Sequence, residues 1–230
     1  MTDSQVAGTL WLQQARVDGQ LRLHGIRAGT AGAGAVAVLA RGLSVDGAAD
    51  CAGMQARGLV SFEGAAVTGT LNLADAQISC PGERGLDLNH ATIGGTLACP
   101  GLAVDGETQA NNCRISVELI MRGARLGNPG GIALFAGGLE VAGGAFISQG
   151  FSARGEVTLI GARLAANLSI RKSTFDNPGG TAVNLERASI GMLNAQAVAC
   201  RGQMMMAGAD ISGDVNLAGA VLETGDGKPP

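Results

Sequence analysis

The sequence predicts an all-β chain folded as a right-handed parallel β-helix, a solenoid of about nine four-sided coils with ~22 residues per coil and short loops on every second coil. Three observations lead to this fold class. An eleven-residue pattern recurs along the 230 residues, and a four-residue segment returns after 49 residues. The composition has 38 Gly, no Tyr, one Trp and five Phe, so the core must consist of thin layers of small and aliphatic side chains.

The repeating unit reads G-x-Φ-x-Φ-x-x-A-x-Φ-x, where Φ is apolar, and about eighteen copies follow one another from Gly8. Positions 3 and 5 are alternate apolar residues, such as Leu10 and Leu12, and a period of two is the period of a β-strand. Positions 8 and 10, such as Ala15 and Val17, form a second short strand, with corners between the strands. A helix is disfavoured because no i, i+3, i+4 apolar stripe is sustained.

Four short insertions interrupt the units and define a larger repeat. Residues 117–141 resemble residues 166–190, so that Asn128-Pro129-Gly130-Gly131 recurs as Asn177-Pro178-Gly179-Gly180 at a shift of 49. Each insertion follows four units after the previous one, which makes the larger repeat four units long. The insertions are residues 30–35, 80–83, 128–131 and 177–180.

The length of the unit determines the shape of one coil. Eleven residues are too few to enclose a core, whereas two units with four short sides can do so. Stacked coils lie ~4.8 Å apart, so about nine coils predict a rod on the order of 43 Å long. We expect a disordered N-terminus (1–7), one solenoid domain (8–224) and a C-terminal tail (225–230), with the loops forming a ridge along one edge.

Charge and targeting signals restrict the environment of the protein. The net charge is −3 and the pI is about 5.4, which does not favour nucleic acid or an anionic membrane as a partner. No apolar run of transmembrane length and no signal peptide are visible, so a cytoplasmic location is expected. The five Cys are then expected to be reduced thiols, and Cys80, in the second insertion, is expected to be the exposed one.

The segments GARLGNPGGIAL, GLEVAGGAFISQGFSARGEVTLIGARL and FDNPGGTAVNLERASI carry a resemblance to a known family. They resemble an actinobacterial family of Gly/Ala/Leu-rich repeat proteins labelled "membrane-associated oxidoreductase", related to the pentapeptide-repeat-like β-helices. The resemblance covers most of the chain and is strongest in residues 117–190. It implies a β-helix, and its label implies an oxidoreductase or a peripheral contact with a membrane.

The residues themselves predict no catalytic, cofactor or metal site. Gly32 and Gly34 are followed by no helix, as a dinucleotide fold would require. His24 and His90 lie at corners several coils apart, and the inward-facing Cys51 and Cys99 behave as small apolar residues. Carboxylates are scattered along the rod rather than paired, and sugar-stacking aromatics are lacking, which disfavours a carbohydrate-active enzyme.

The predicted function is therefore a non-catalytic structural or binding module. It would present its faces, its loop ridge and its open ends for protein–protein association, and would form a homo-oligomer through the coil ends. The alternatives are the oxidoreductase or membrane-associated protein of the family label, and a pentapeptide-repeat-like DNA mimic that binds a topoisomerase. Two ladders of arginines are expected to face outward. The first consists of the arginines at position 9, and the second consists of Arg57, Arg154 and Arg201 at position 11. The predicted interaction surface comprises Arg16, Arg27, Arg114, Arg125, Arg163, Asn128, Pro129, Asn177, Pro178 and Met205.

Overall fold

The computed structural model describes residues 4–30 and 32–223, and in these residues the chain forms 29 β-strands and no helix. The first fourteen strands are β1 (Gln5–Val6), β2 (Leu10–Trp11), β3 (Arg16–Val17), β4 (Leu21–Arg22), β5 (Arg27–Gly29), β6 (Val36–Leu39), β7 (Ser44–Val45), β8 (Ala49–Asp50), β9 (Gln55–Arg57), β10 (Leu59–Ser61), β11 (Ala66–Val67), β12 (Leu71–Asn72), β13 (Gln77–Asp87) and β14 (Thr92–Ile93). The remaining strands are β15 (Leu97–Ala98), β16 (Ala103–Gln109), β17 (Arg114–Ile115), β18 (Leu119–Ile120), β19 (Arg125–Phe135), β20 (Glu140–Val141), β21 (Ala145–Phe146), β22 (Ser152–Thr158), β23 (Arg163–Ser169), β24 (Thr174–Asn184), β25 (Ser189–Asn194), β26 (Ala199–Met205), β27 (Asp210–Ile211), β28 (Val215–Asn216) and β29 (Val221–Glu223).

The strands stack in parallel into four ladders, which form the four faces of a solenoid of about nine coils. Face 1 begins with β2 and continues through β6, β10 and the C-terminal parts of β13, β16, β19, β22, β24 and β26. Face 2 runs from β3 to β27, and face 3 runs from β4 to β28. Face 4 runs from β1 through β5 and β9 to β29. The predicted parallel, four-sided β-helix is confirmed.

The ladder register confirms the two-coil repeat. On face 2, Ser44, Thr92, Glu140 and Ser189 stand in one column two coils apart, and successive members are separated by 48, 48 and 49 positions. The first strand lies at Gln5–Val6, three residues before the predicted start of the solenoid. Residues 1–3 of the predicted N-terminal segment and the predicted tail 225–230 lie outside the described residues.

The loops all lie at the corner between face 4 and face 1. Within the last two loops the Asn128 amide donates to the Ile132 carbonyl at 3.0 Å, and the Asn177 amide donates to the Thr181 carbonyl at 2.7 Å. The first two loops touch each other, because the Gly34 N–H donates to the Glu83 carboxylate at 2.9 Å. The loops therefore build the predicted ridge on alternate coils.

On the intervening coils a single glycine turns the same corner: Gly58, Gly106, Gly155 and Gly202. Each has a φ between +110° and +133°, and a Cβ at each would lie 2.5 Å from the carbonyl oxygen of a residue in the loop of the preceding coil. Only glycine avoids both the strain and the clash. The backbone of each loop therefore packs directly against one of these four glycines in the next coil.

The inward-facing positions form one continuous core. Phe62, Phe151 and Phe175 are among its largest fully buried side chains, and the last two rings lie 5.6 Å apart. Positions 3, 5, 8 and 10 of the unit point inward, as predicted. The prediction for Cys80 was wrong: its side chain is buried, with its Sγ 3.9 Å from a carboxylate oxygen of Glu83 in the same loop.

Candidate interaction surfaces

The predicted arginines do not form one surface, because consecutive units occupy different faces of the coil. Arg16, Arg114 and Arg163 are exposed on face 2. Arg16 pairs with Asp18 at 2.8 Å, while Arg114 and Arg163 both approach Glu140, at 3.3 and 2.8 Å. Pairs at the surface contribute little to stability, but each of these three guanidinium groups has a carboxylate within 4.0 Å, and Arg114 and Arg163 share theirs. Face 2 therefore carries mixed charge rather than a row of unpaired arginines.

Arg27 and Arg125 lie instead on face 4, where they line a groove of about 1140 Å³. The groove extends over eight coils, from Gln5 on β1 to Asp176 on β24, which is roughly 34 Å at ~4.8 Å per coil. Its sides are the two outward-facing residues of each face-4 strand, and its floor is formed by the backbone and the edges of buried side chains such as Val104. Glutamine, serine and threonine side chains stand among the arginines along it, above a floor that is apolar in part.

The loop ridge borders this groove. Pro129 in the third loop and Thr30 in the first line its edge. Pro178 in the fourth loop is exposed, whereas the amides of Asn128 and Asn177 are used to close their own loops. Among the predicted loop residues, the prolines are thus the ones whose side chains face solvent on the ridge.

One outward column of face 4 carries most of its charge, and we call it the charged column. It consists of the residues stacked from coil to coil as Gly29, Arg57, Ser79, Asp105, Gly127, Arg154, Asp176, Arg201 and Glu223. Arg201 forms a two-pronged ion pair with Asp176 at 2.6 and 2.9 Å. This pair lowers the pKa of the Asp176 carboxyl and raises the pKa of the Arg201 guanidinium. Within residues 4–30 and 32–223, Arg57 and Arg154 have no ion pair within 4.0 Å.

The last coil exposes apolar side chains whose ladder partners in the preceding coil are buried. Val215 and Leu222 are 47% and 49% exposed, although their ladder partners one coil earlier, Leu193 and Cys200, are 0% and 2% exposed. Leu217 is exposed as well. At the opposite end, the inward residues of the first coil are half-buried. Met205 is half-buried, and its sulfur accepts a hydrogen bond from the Thr181 hydroxyl at 3.3 Å.

The five thiols are buried, and the two imidazoles lie at different corners of the coil. Burial raises the pKa of the Cys51 thiol to about 12, with a smaller contribution from the charge of Asp50, and burial also raises the pKa of Cys113 to about 12. His24 lies at the corner between faces 3 and 4, with its Nδ1 3.7 Å from Asp50, whereas His90 turns the corner between faces 1 and 2. In the part of the chain that the structure describes, no three His, Cys, Asp or Glu residues are grouped to hold a metal ion. A void of about 20 Å³ in the core, beside Cys99 and Thr108, has room for about one water molecule.

Comparisons with protein-family models, with curated proteins and with solved structures found no match to this chain. The resemblance to the Gly/Ala/Leu-rich repeat family therefore stays a prediction. No helix among the described residues is long and apolar enough to cross a membrane.

The structure thus places the predicted site residues on several separate surfaces, with Met205 alone on face 1. Face 2 holds paired arginines, the ridge holds the loop prolines, and the groove brings Arg27 and Arg125 together with two arginines from position 11, Arg57 and Arg154. The sequence does contain a signal for the groove: because two units make one coil, every second unit lies on the same face. Arginines at position 9 and at position 11 share a face only when they come from units that occupy the same wall.

Proposed function

We propose that this protein is a non-catalytic scaffold that associates end to end, the last coil of one copy stacking on the first coil of the next. The observation that carries the proposal is the exposed inward face of the last coil, where Val215, Leu217 and Leu222 lack the layer that covers equivalent residues elsewhere. A solenoid coil is stabilised only by its neighbours, so an uncovered coil favours association.

The two ends match face by face. The last strands are the C-terminal part of β26 on face 1, β27 on face 2, β28 on face 3 and β29 on face 4, and the first strands on those faces are β2, β3, β4 and β1. A second copy in register would place Val215 against Leu21 and Leu222 against Val6. It would also pair the unpaired backbone edges of both ends, which are the usual templates for strand addition.

Such contacts are of the head-to-tail type. The same surface is not used on both copies, and this geometry leads to open chains of subunits when no rotation closes the assembly. A scaffold of this kind would display its faces and its loop ridge at regular intervals. The family label's oxidoreductase and the topoisomerase-binding DNA mimic remain predictions from the sequence.

Sedimentation velocity over a range of protein concentrations tests the proposal. We expect species larger than one chain whose fraction rises with concentration. The double variant Val215→Asp, Leu222→Asp should weaken association at least ~30-fold, because the buried area of two half-exposed side chains accounts for ~2 kcal/mol and the new charges oppose stacking. Trp11, the single tryptophan, is 68% exposed on β2 at the receiving end, so its fluorescence should shift on association.

Val117→Asp is the matched control, since Val117 is 46% exposed but lies in the middle of the rod. It should leave association unchanged. A protein that sediments as one species of monomer mass at all concentrations would refute the end-to-end scaffold, and so would equal effects of the end and mid-rod variants.

A further inference from the structure

We propose that the groove on face 4 binds an extended peptide segment that carries two carboxylate side chains about six residues apart. This inference concerns the side wall of a single copy and is independent of end-to-end association. It rests on the spacing of Arg57 and Arg154, on the charge between them and on the shape of the groove.

Arg57 and Arg154 occupy equivalent places in the two-coil repeat. The ladder places them in the same column four coils apart, through Ser79, Asp105 and Gly127. Four coil spacings of ~4.8 Å amount to about 19 Å. Both guanidinium groups are exposed and, among the described residues, neither has an ion pair within 4.0 Å, so both can donate hydrogen bonds to an external carboxylate.

An extended peptide lying along the groove matches this spacing. It rises ~3.3 Å per residue, so about six residues cover the 19 Å between the two arginines. Six is an even number, and side chains two, four and six positions apart point to the same side of a strand. Acidic residues at i and i+6 would therefore both face the wall of the groove.

The negative charge of Asp105, midway between the two arginines, favours such a peptide over a uniform polyanion. Asp105 lies two coils from Arg57 and two coils from Arg154 in the charged column, and it is exposed. A nucleic acid or a polyuronate would bring a negative charge against Asp105 and would be repelled there. In the peptide, the residue opposite Asp105 is i+3, which points away from the wall, so no acidic side chain needs to approach it.

The rest of the groove suits a peptide backbone. Its exposed polar side chains include Gln55, Gln77, Ser79 and Thr174, which can donate to carbonyl groups and accept from N–H groups. Gly127 leaves the wall open beside Arg154. A Cβ there would meet only the Val104 carbonyl oxygen at 3.8 Å, an ordinary contact, and the glycine does not have a left-handed φ. A larger side chain at this position is therefore compatible with the fold and would obstruct the groove.

Fluorescence polarisation with the intact protein tests the proposal. The probe is a short dye-labelled peptide of Ser, Thr and Gly that contains two Glu at i and i+6. We expect saturable binding that weakens as salt is raised. The double variant Arg57→Gln, Arg154→Gln should reduce the affinity on the order of tenfold, because each exposed charge pair contributes modestly. Gly127→Gln should also reduce it.

Arg114→Gln, Arg163→Gln is the matched control, because it removes the same charge from face 2 and should leave binding unchanged. Moving the second Glu by one residue should weaken binding, and filling i+2 and i+4 with further Glu should not strengthen it despite the added charge. The proposal is overturned if the probe does not saturate, if both double variants bind equally well, or if an oligonucleotide or a polyuronate binds more tightly than the peptide in an Arg57- and Arg154-dependent manner. Far-UV circular dichroism of each variant separates lost binding from lost fold.

Discussion

Replacing Gly155 by alanine probes the contact between a loop and the coil beneath it. Gly155 has a φ of +110°, and a Cβ at this position would lie 2.5 Å from the carbonyl oxygen of Asn128 and 2.8 Å from that of Gly131. Both oxygens belong to the backbone at the two ends of the third loop. Neither can rotate away, so the loop itself would have to move.

The magnitude follows from two contributions. An alanine at this φ lies in a region that essentially only glycine uses, at a cost of about 1–3 kcal/mol. Overpacking against backbone atoms adds about 1–3 kcal/mol. We therefore expect Gly155→Ala to lower the free energy of unfolding by about 4 kcal/mol, a large part of the ~5–15 kcal/mol that holds a domain folded.

Gly161 provides the matched control, since it has a φ of +64° and a Cβ there would meet no atom within 4 Å. Gly161→Ala should cost only about 1 kcal/mol, from the left-handed backbone alone. Urea unfolding followed by far-UV circular dichroism measures both variants, and limited proteolysis reports displacement of residues 128–131. The reasoning is refuted if Gly155→Ala is no more destabilising than Gly161→Ala.

Three further predictions concern corners and titrating groups. Ala197 has a φ of +54°, so Ala197→Gly should raise the free energy of unfolding by about 1 kcal/mol in urea titrations, and a loss of stability would contradict the strain argument. Burial raises the pKa of the Cys51 thiol from 9.0 to about 12, so its contribution to stability is present below pH 9.0 and is lost as the pH rises towards 12. Native thiols should therefore resist alkylation near neutral pH, and rapid labelling before unfolding would show that the core is accessible. The Arg201 hydrogen bond lowers the pKa of Asp176 below 3.8, so its stabilising effect is present above that pH and is lost as the pH falls through the lowered pKa. Arg201→Ala should therefore reduce the loss of unfolding free energy that occurs as the pH is lowered. If that loss is unchanged in the variant, the Asp176–Arg201 pair does not contribute to acid sensitivity.

Much of the fold could be predicted from the sequence because the signals are local and repeated. Alternating apolar residues such as Leu71 and Leu73 indicate a strand with one buried face, and both side chains are buried. The recurrence of Asn128 as Asn177 identified the loops, and the same side-chain hydrogen bond closes both. A repeat that stacks on itself leaves few alternative folds, since each coil must present the same face to its neighbours.

The candidate sites could be predicted only in part. Arg16 and Arg27 have the same place in the unit, yet one pairs with Asp18 on face 2 and the other lines the groove on face 4. Cys80 takes the place of Asn128 in its loop, where the Cys80 side chain is buried and the Asn128 amide bonds to the carbonyl of Ile132 in its own loop. A sequence pattern describes neighbours along the chain, whereas these outcomes depend on neighbours one or two coils away.

The sequence by itself determined the strand period, the two-coil repeat and the position of the loops, because each depends on residues within a few positions of one another. Only the tertiary structure decided which charges meet. Two units make one coil, so units that are adjacent in sequence lie on opposite walls, while Arg57 and Arg154 share one column although 97 residues separate them. The doubled Asn-Pro-Gly-Gly segment marks the repeat, and stacking of the coils turns that repeat into a ridge, a groove and two open ends.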